Sequence, residues 1–209
     1  MLKPRKNVRP IRDLKVLDEV LDYLVVGSKL GRRNYTIFQV GKSTLLRVSD
    51  VLNLKKSDVY TKTGSVRKNA YIIDRKTKKN NTLYLRPVKE DLEKYYQWLK
   101  DYQAAHPKLR VFDTDWLFPS FERPQLPLDP RQYWRIMDKT GDALGIDYLG
   151  THTMRKTGAY LVYEQTDHNI GLVMKLLNHS SEAVTLHYRG LDQEARERIL
   201  DQVNFGGHH

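Results

Sequence analysis

Three short stretches hold residue types that can do chemistry. The first is "LLRVSDVLNL" (45–54), where Arg47 stands inside an apolar run of Leu45, Leu46, Val48, Val51, Leu52 and Leu54. A guanidinium in such a run must find an anion, because an unpaired buried charge is very costly. Asp50, three residues on, is one candidate: either a structural pair forms, or part of the fork stays free for a phosphate. The second is "GTHTMRKTGAYLVYEQ" (150–165). Thr151 as N-cap would put His152 and Arg155 in the first turn of a helix, on one face. An arginine there opposes the positive end of the helix dipole, and a bound anion would reverse that cost. The alternative is a solvated arginine beside a capping-region histidine. The third is "LLNHSSEAVTLHYRG" (176–190), which sets His179 and His187, two of only 7 histidines, beside Tyr188. It admits a metal site, ordinary packing, or a tyrosine used as a nucleophile.

Composition narrows the chemistry. The 209 residues contain no cysteine, which excludes disulfides, thiolate metal sites and cysteine nucleophiles, and fits a reducing cytoplasm. No apolar run approaches the roughly 20 residues that span a bilayer, and Asp18, Glu19 and Asp22 interrupt the first helix where a signal peptide would be apolar. Lys and Arg number 36 against 25 Asp and Glu, a net charge of +11. That excess favours a polyanionic partner, chiefly nucleic acid, against the alternative of a basic protein without such a ligand.

The elements that must position these groups can be read from periodicity. Residues 1–12 carry five basic residues, two prolines and no acid, and read as a flexible basic arm or linker stub. Helical spacing predicts a helix over 13–24 with Asp13 as N-cap, a glycine-bearing loop over 27–34, and helices over 35–47 and 48–54. "NAYIID" and "NTLYLR" read as strands flanking the polar turn "RKTKKN", with "DVYTK" as a third strand. Within 61–81 there are seven basic residues, Lys62, Arg67, Lys68, Arg75, Lys76, Lys78 and Lys79, and one acid, Asp74. A basic hairpin can be a solvated edge that resists aggregation or a loop reaching toward phosphate. A long amphipathic helix covers 89–105, and an irregular, packed crossing covers 106–130. Further helices are predicted at about 130–144, 152–165, 168–177, 181–188 and 191–203. The expected class is α+β, mainly α, with a small three-stranded antiparallel sheet.

In this order the residues resemble the tyrosine recombinases, or phage integrases. That family combines an arginine in an "R-x-S-E/D" box, a lysine in a β-hairpin, an "H-x-x-R" box, and "G-H-S" followed nine residues later by a tyrosine nucleophile. Here "RVSD" supplies Arg47 and Asp50, "HTMR" supplies His152 and Arg155, and "NHSSEAVTLHY" supplies His179 and Tyr188. Spacing to the following strand points to Lys76, with Lys78 and Lys79 as fallbacks. Each box alone is weak, but six polar residues across four ordered boxes are specific. The resemblance covers about residues 13–203. Three departures stand out: Asn178 replaces the usual glycine, Lys156 stands where the family often has histidine, and Tyr84 stands where it often has proline. Asn tolerates a left-handed backbone, so the turn at 178 is expected to survive.

The resemblance implies a catalytic domain over 13–209. Most members also carry an N-terminal helical domain that clamps DNA, so the expectation is either a catalytic fragment with residues 1–12 as its linker stub or a likeness to the short, free-standing members. It implies site-specific cleavage and rejoining of double-stranded DNA through a 3′-phosphotyrosine, with no ATP, cofactor or metal. Arg47, Arg155 and His179 would serve the phosphate, Asp50 would orient Arg47, and Tyr188 would attack. The tyrosine proton would pass to His152, or to a phosphate oxygen polarised by it, and Lys76 would protonate the leaving oxygen. Lys62, Arg75, Lys78, Lys79 and Lys156 are expected DNA contacts, and the chain is expected to be a monomer that tetramerises on DNA. Three rivals remain: an inactive DNA-binding regulator of the same fold, a type IB topoisomerase-like relaxing enzyme, and a histidine-based metal enzyme. No "H-E-x-x-H" spacing supports the last.

Overall fold

The structure is a computed structural model that describes residues 7–178. The helices expected at 181–188 and 191–203, together with His179 and Tyr188, lie outside the described residues. The chain divides into two units, one through Gly158 and one from Ala159 onward.

In the first unit, α1 (Leu14–Val26) starts where the Asp13 carboxylate accepts from the Lys15 amide at 2.7 Å. It buries Leu17, Val20 and Leu24, spaced so that one stripe faces the core. The loop after it is shorter than expected, because α2 (Gly31–Thr44) already begins at Gly31. A Cβ at Gly31 would stand 1.7 Å from the Val25 carbonyl oxygen, so the chain can close this turn only on glycine. Ile37, Phe38 and Val40 of α2 are buried. The helix stops at Leu45, whose φ of 56° is left-handed, and Arg47 then becomes the extended residue that opens the short α3 (Val48–Leu52).

The sheet has two strands rather than three. β1 (Asn69–Ile73) pairs antiparallel with β2 (Asn80–Tyr84), Asn69 opposite Tyr84 and Ile73 opposite Asn80. The expected third strand at 58–62 instead begins inside α4 (Lys56–Val59). The Asp58 carboxylate accepts from the Lys55 amide at 2.8 Å, which stabilises a helical turn. Only Tyr60 makes a bridge, to Val66.

Beyond the hairpin, α5 (Lys89–Ala105) buries Leu92, Tyr95 and Leu99 on one stripe. The 106–130 crossing is packed as expected: Val111, Leu117, Phe118 and Leu128 are buried, and the Tyr95 hydroxyl donates to the Leu117 carbonyl at 2.9 Å. α6 (Pro130–Leu144) runs from the Asp129 cap to a left-handed Gly145, matching its expected bounds. Of the basic segment at the N-terminus, residues 7–12 are docked rather than free. Ile11 is buried and its amide donates to the Thr157 hydroxyl at 3.0 Å. The Lys156 ammonium donates to the Val8 carbonyl at 2.6 Å.

α7 (Thr153–Gln165) follows. In the second unit, His168 packs edge-on against Tyr163. Left-handed backbone at Asp167 and His168 delays α8 to Ile170–Leu176. Asn178 has a φ of 54°, so the asparagine adopts the left-handed turn its position requires.

Candidate phosphate-binding site

Arg155 is the most buried of the predicted catalytic residues within the described part of the chain. α7 begins one residue later than the Thr151 cap predicts: the His152 carbonyl accepts from the Lys156 amide at 3.0 Å, and the Thr153 hydroxyl accepts from the Gly150 amide at 2.9 Å. The first turn of α7 lies close against α2 because two glycines remove side chains from the crossing. A Cβ at Gly158 would lie 2.0 Å from the Lys42 carbonyl oxygen, and one at Gly41 would lie 2.2 Å from the Met154 sulfur. This approach sets the buried Arg155 guanidinium beneath the left-handed turn, where it donates to the Leu45 carbonyl. The arginine that looked misplaced at a helix start is thus used to tie the end of α2 to α7.

Two residues past Leu45, Arg47 reaches the base of the hairpin. Its Nη1 lies 3.8 Å from an Asp74 carboxylate oxygen, an ion pair with the arginine side chain 16% exposed and the aspartate 2%. That separation exceeds a hydrogen bond, and Arg47 Nη1 is buried with no hydrogen-bond partner. Asp50 was expected to hold Arg47. Its Oδ1 instead accepts from the Arg75 amide at 3.0 Å, and its Oδ2 also has no hydrogen-bond partner. Asp50 still acts on the arginines through its field. Its pKa is raised overall: burial first, and Asp74 also, push it up, and the Arg75 amide, Arg47 and Arg155 offset only part of that.

The hairpin turn brings the exposed Lys76 within electrostatic reach of His152. Asp74 closes the turn on itself: its amide donates to the Lys79 carbonyl at 2.9 Å and its carbonyl accepts from the Lys78 amide at 2.8 Å. Lys78 takes the left-handed conformation, φ 57°, that this turn demands. Lys76, Lys78, Lys79, Arg75 and Lys62 are all exposed. The Arg75 guanidinium is turned onto Asn53 of the α3 C-cap.

His152 registers the whole cluster electrostatically. It is an exposed residue, so the desolvation that comes first in lowering its pKa arises from nearby protein rather than enclosure; the charges of Arg155, Lys156, Arg47 and Lys76 add to it. An imidazole held neutral can accept a proton. The structure therefore gathers Arg47, Lys76, His152 and Arg155, with Asp50 behind them. His179 and Tyr188 lie outside the described residues. The residue that sequence reasoning missed is Asp74. Its signal was present, as the single acid in a basic hairpin, two residues before Lys76.

A groove of about 660 Å³ flanks the hairpin, lined by Asp50, Asn53, Tyr71, Arg75 and Asn81 among others. None of Arg47, Lys76, His152 and Arg155 lines it, so these four groups lie outside this groove. Among the described residues, no cluster of three His, Asp or Glu side chains is placed to hold a metal ion, and no helix is long and apolar enough to cross a membrane.

A sequence model of the Phage integrase family matches residues 13–195. The chain belongs to that family. It is similar to the probable integrase/recombinase YoeC of Bacillus subtilis (strain 168), with 34% identity over 201 residues, covering 96% of this chain and 98% of that protein. The fold is that of XerH site-specific recombinase bound to palindromic difH substrate in a post-cleavage complex: TM-score 0.67, 20% identity, 94% of this chain and 53% of the other. It is likewise that of a lambda integrase tetramer bound to a Holliday junction: TM-score 0.65, 18% identity, 90% of this chain and 49% of the other. The chain thus spans about half the length of these two integrase-family structures.

Proposed function

We propose that this chain is a site-specific DNA recombinase that cleaves and rejoins double-stranded DNA through a 3′-phosphotyrosine at Tyr188. The observation that carries the reading is Arg47 Nη1, a buried cationic donor with no hydrogen-bond partner. It shares one electrostatic cluster with Arg155, Lys76 and a His152 whose pKa is lowered. Buried donors are almost always satisfied, and a phosphate oxygen is the acceptor that this charge pattern suits. The family relationship and the XerH and lambda integrase complexes with DNA support the same substrate.

In the proposed reaction, the Tyr188 Oη–P bond forms and the P–O5′ bond breaks. The tyrosine proton passes to His152, and a Lys76 proton passes to the departing O5′. A tyrosine with a pKa near 10 needs such a base. Arg47 and Arg155, with His179, stabilise the non-bridging oxygens as charge builds. Asp50 biases Arg47 from behind. Religation by another strand's 5′-hydroxyl reverses these transfers, so neither ATP nor a metal enters. Lys62, Arg75, Lys78 and Lys79 contact the DNA backbone. Lys156, expected from the sequence to join them, donates to Val8 instead. The protein assembles as a homotetramer on DNA and is a monomer without it.

The test is covalent trapping on a nicked suicide DNA in EDTA. Arg47→Ala and Arg155→Ala should each slow adduct formation by about 10²–10³-fold, as loss of an oxyanion donor does, while binding persists. Wild-type rates in either variant would refute the clamp.

A further inference from the structure

Asp74 occupies a position that hairpin stability alone does not explain. It is buried, 1% exposed, and follows directly on β1. Its carboxylate accepts from the Asn81 side-chain Nδ2 at 3.1 Å and the Thr77 hydroxyl at 3.3 Å, both within the hairpin. The same carboxylate also faces out of the hairpin, to Arg47 at 3.8 Å. Lys76 lies two residues along the turn that Asp74 closes. The neighbouring residue repeats the link: the Arg75 amide donates to Asp50 at 3.0 Å, and its guanidinium reaches Asn53. The turn is thereby pinned at three points: to Arg47 and Asn53, which cap α3 at its two ends, and to Asp50 within it.

We propose that Asp74 is a positioning residue for DNA cleavage: it docks the Lys76-bearing turn onto Arg47, so that the group protonating the leaving oxygen is registered against a group gripping the phosphate. A two-stranded hairpin has little independent stability, so its tip holds a fixed place only if it is tied to something more rigid. A misplacement of about 1 Å in such a group costs on the order of 100-fold. The proposal rests on the reading of Lys76 as general acid, and the test separates the two.

The experiment measures single-turnover cleavage on ordinary suicide DNA and on DNA with a 5′-bridging phosphorothiolate, whose sulfur departs as a thiolate and needs no proton. The variants are Asp74→Asn, Lys76→Ala and Asn81→Ala. Asp74→Asn keeps the shape and removes the charge. It should cleave ordinary DNA about 10- to 100-fold more slowly, as expected when a general acid is misplaced. On the phosphorothiolate most of that deficit should vanish, as it should for Lys76→Ala. Asn81→Ala, which removes one donor and keeps the charge, should show a smaller deficit with the same substrate dependence, and it serves if Asp74→Asn does not fold. Rescue of Lys76→Ala together with an equal deficit for Asp74→Asn on both substrates, or no deficit, overturns the Asp74 proposal alone; if Asp74→Asn does not fold, the same results for Asn81→Ala overturn it. Failure to rescue Lys76→Ala overturns the general-acid reading and the Asp74 proposal with it.

Discussion

The crossing of α2 and α7 can be tested by adding one methyl group. In Gly158→Ala the new Cβ would lie 2.0 Å from the Lys42 carbonyl oxygen and 2.6 Å from Leu45 Cδ2. The leucine can shift, but the carbonyl belongs to helix backbone, so α7 itself must move by more than 1 Å on the order of van der Waals contact distances. Alanine would otherwise favour a helix by about 1 kcal/mol over glycine. Overpacking costs typically 1–3 kcal/mol, and a backbone clash belongs at the upper end, so we expect a net loss of about 2 kcal/mol. For a chain of this size that lowers Tm by roughly 4–8 °C. The same displacement carries Arg155 away from the Leu45 carbonyl, so adduct formation on suicide DNA should fall more steeply than stability. Gly171→Ala is the control, since its Cβ would meet only Asn169 Oδ1 at 3.5 Å, an ordinary contact. Thermal denaturation and single-turnover cleavage decide the matter. A Gly158→Ala protein with unchanged or raised Tm and full cleavage would refute the close crossing and the placement of Arg155 that depends on it.

Other outcomes follow from the same geometry. The His152 imidazole should titrate below the ordinary value of about 6.5 in an NMR pH series, and Lys76→Ala should move it upward by removing one facing positive charge. Because its folded pKa is depressed, the unfolded state binds the proton first; His152 should thus reduce stability as pH falls below about 6.5 and have no such effect above it. Tyr95→Phe should destabilise by about 1–3 kcal/mol in urea, because it leaves the buried Leu117 carbonyl without its donor. The salt dependence of DNA binding should lose about 0.9 in slope for Lys79→Ala, as for any lost backbone contact, while Lys156→Met should leave the slope unchanged and loosen the segment around Val8.

Much of this architecture was legible in residue types. α1, α5 and α6 carry clean apolar stripes and recognisable caps at Asp13 and Asp129, so local rules and tertiary packing agree. The third strand failed because "DVYTK" has β-rich residues, yet Asp58 three residues after Lys55 caps a helical turn first. The ion pair of Arg47 with Asp74 was hidden for a different reason. Asp50 is near in sequence and helical spacing favours it, but the α3 N-terminus turns Arg47 toward the hairpin, and Asp74 arrives there only through tertiary contact. Leu45 and Lys78 adopt left-handed backbone that their side chains do not advertise, so the turns they make could not be read from composition. The docking of residues 7–12 was equally hidden, since a basic, proline-bearing segment gives no periodic signal, and its anchor is the single buried Ile11.

The central claim is that Tyr188 carries the DNA. It is tested most directly by trapping the protein on nicked suicide DNA, digesting the adduct with nuclease and protease, and locating the residual nucleotide by mass spectrometry. The account predicts a 3′-phosphoryl nucleotide on the peptide containing Tyr188 and no adduct with Tyr188→Phe. An adduct mapped to any other residue, or one that still forms with Tyr188→Phe, would contradict it.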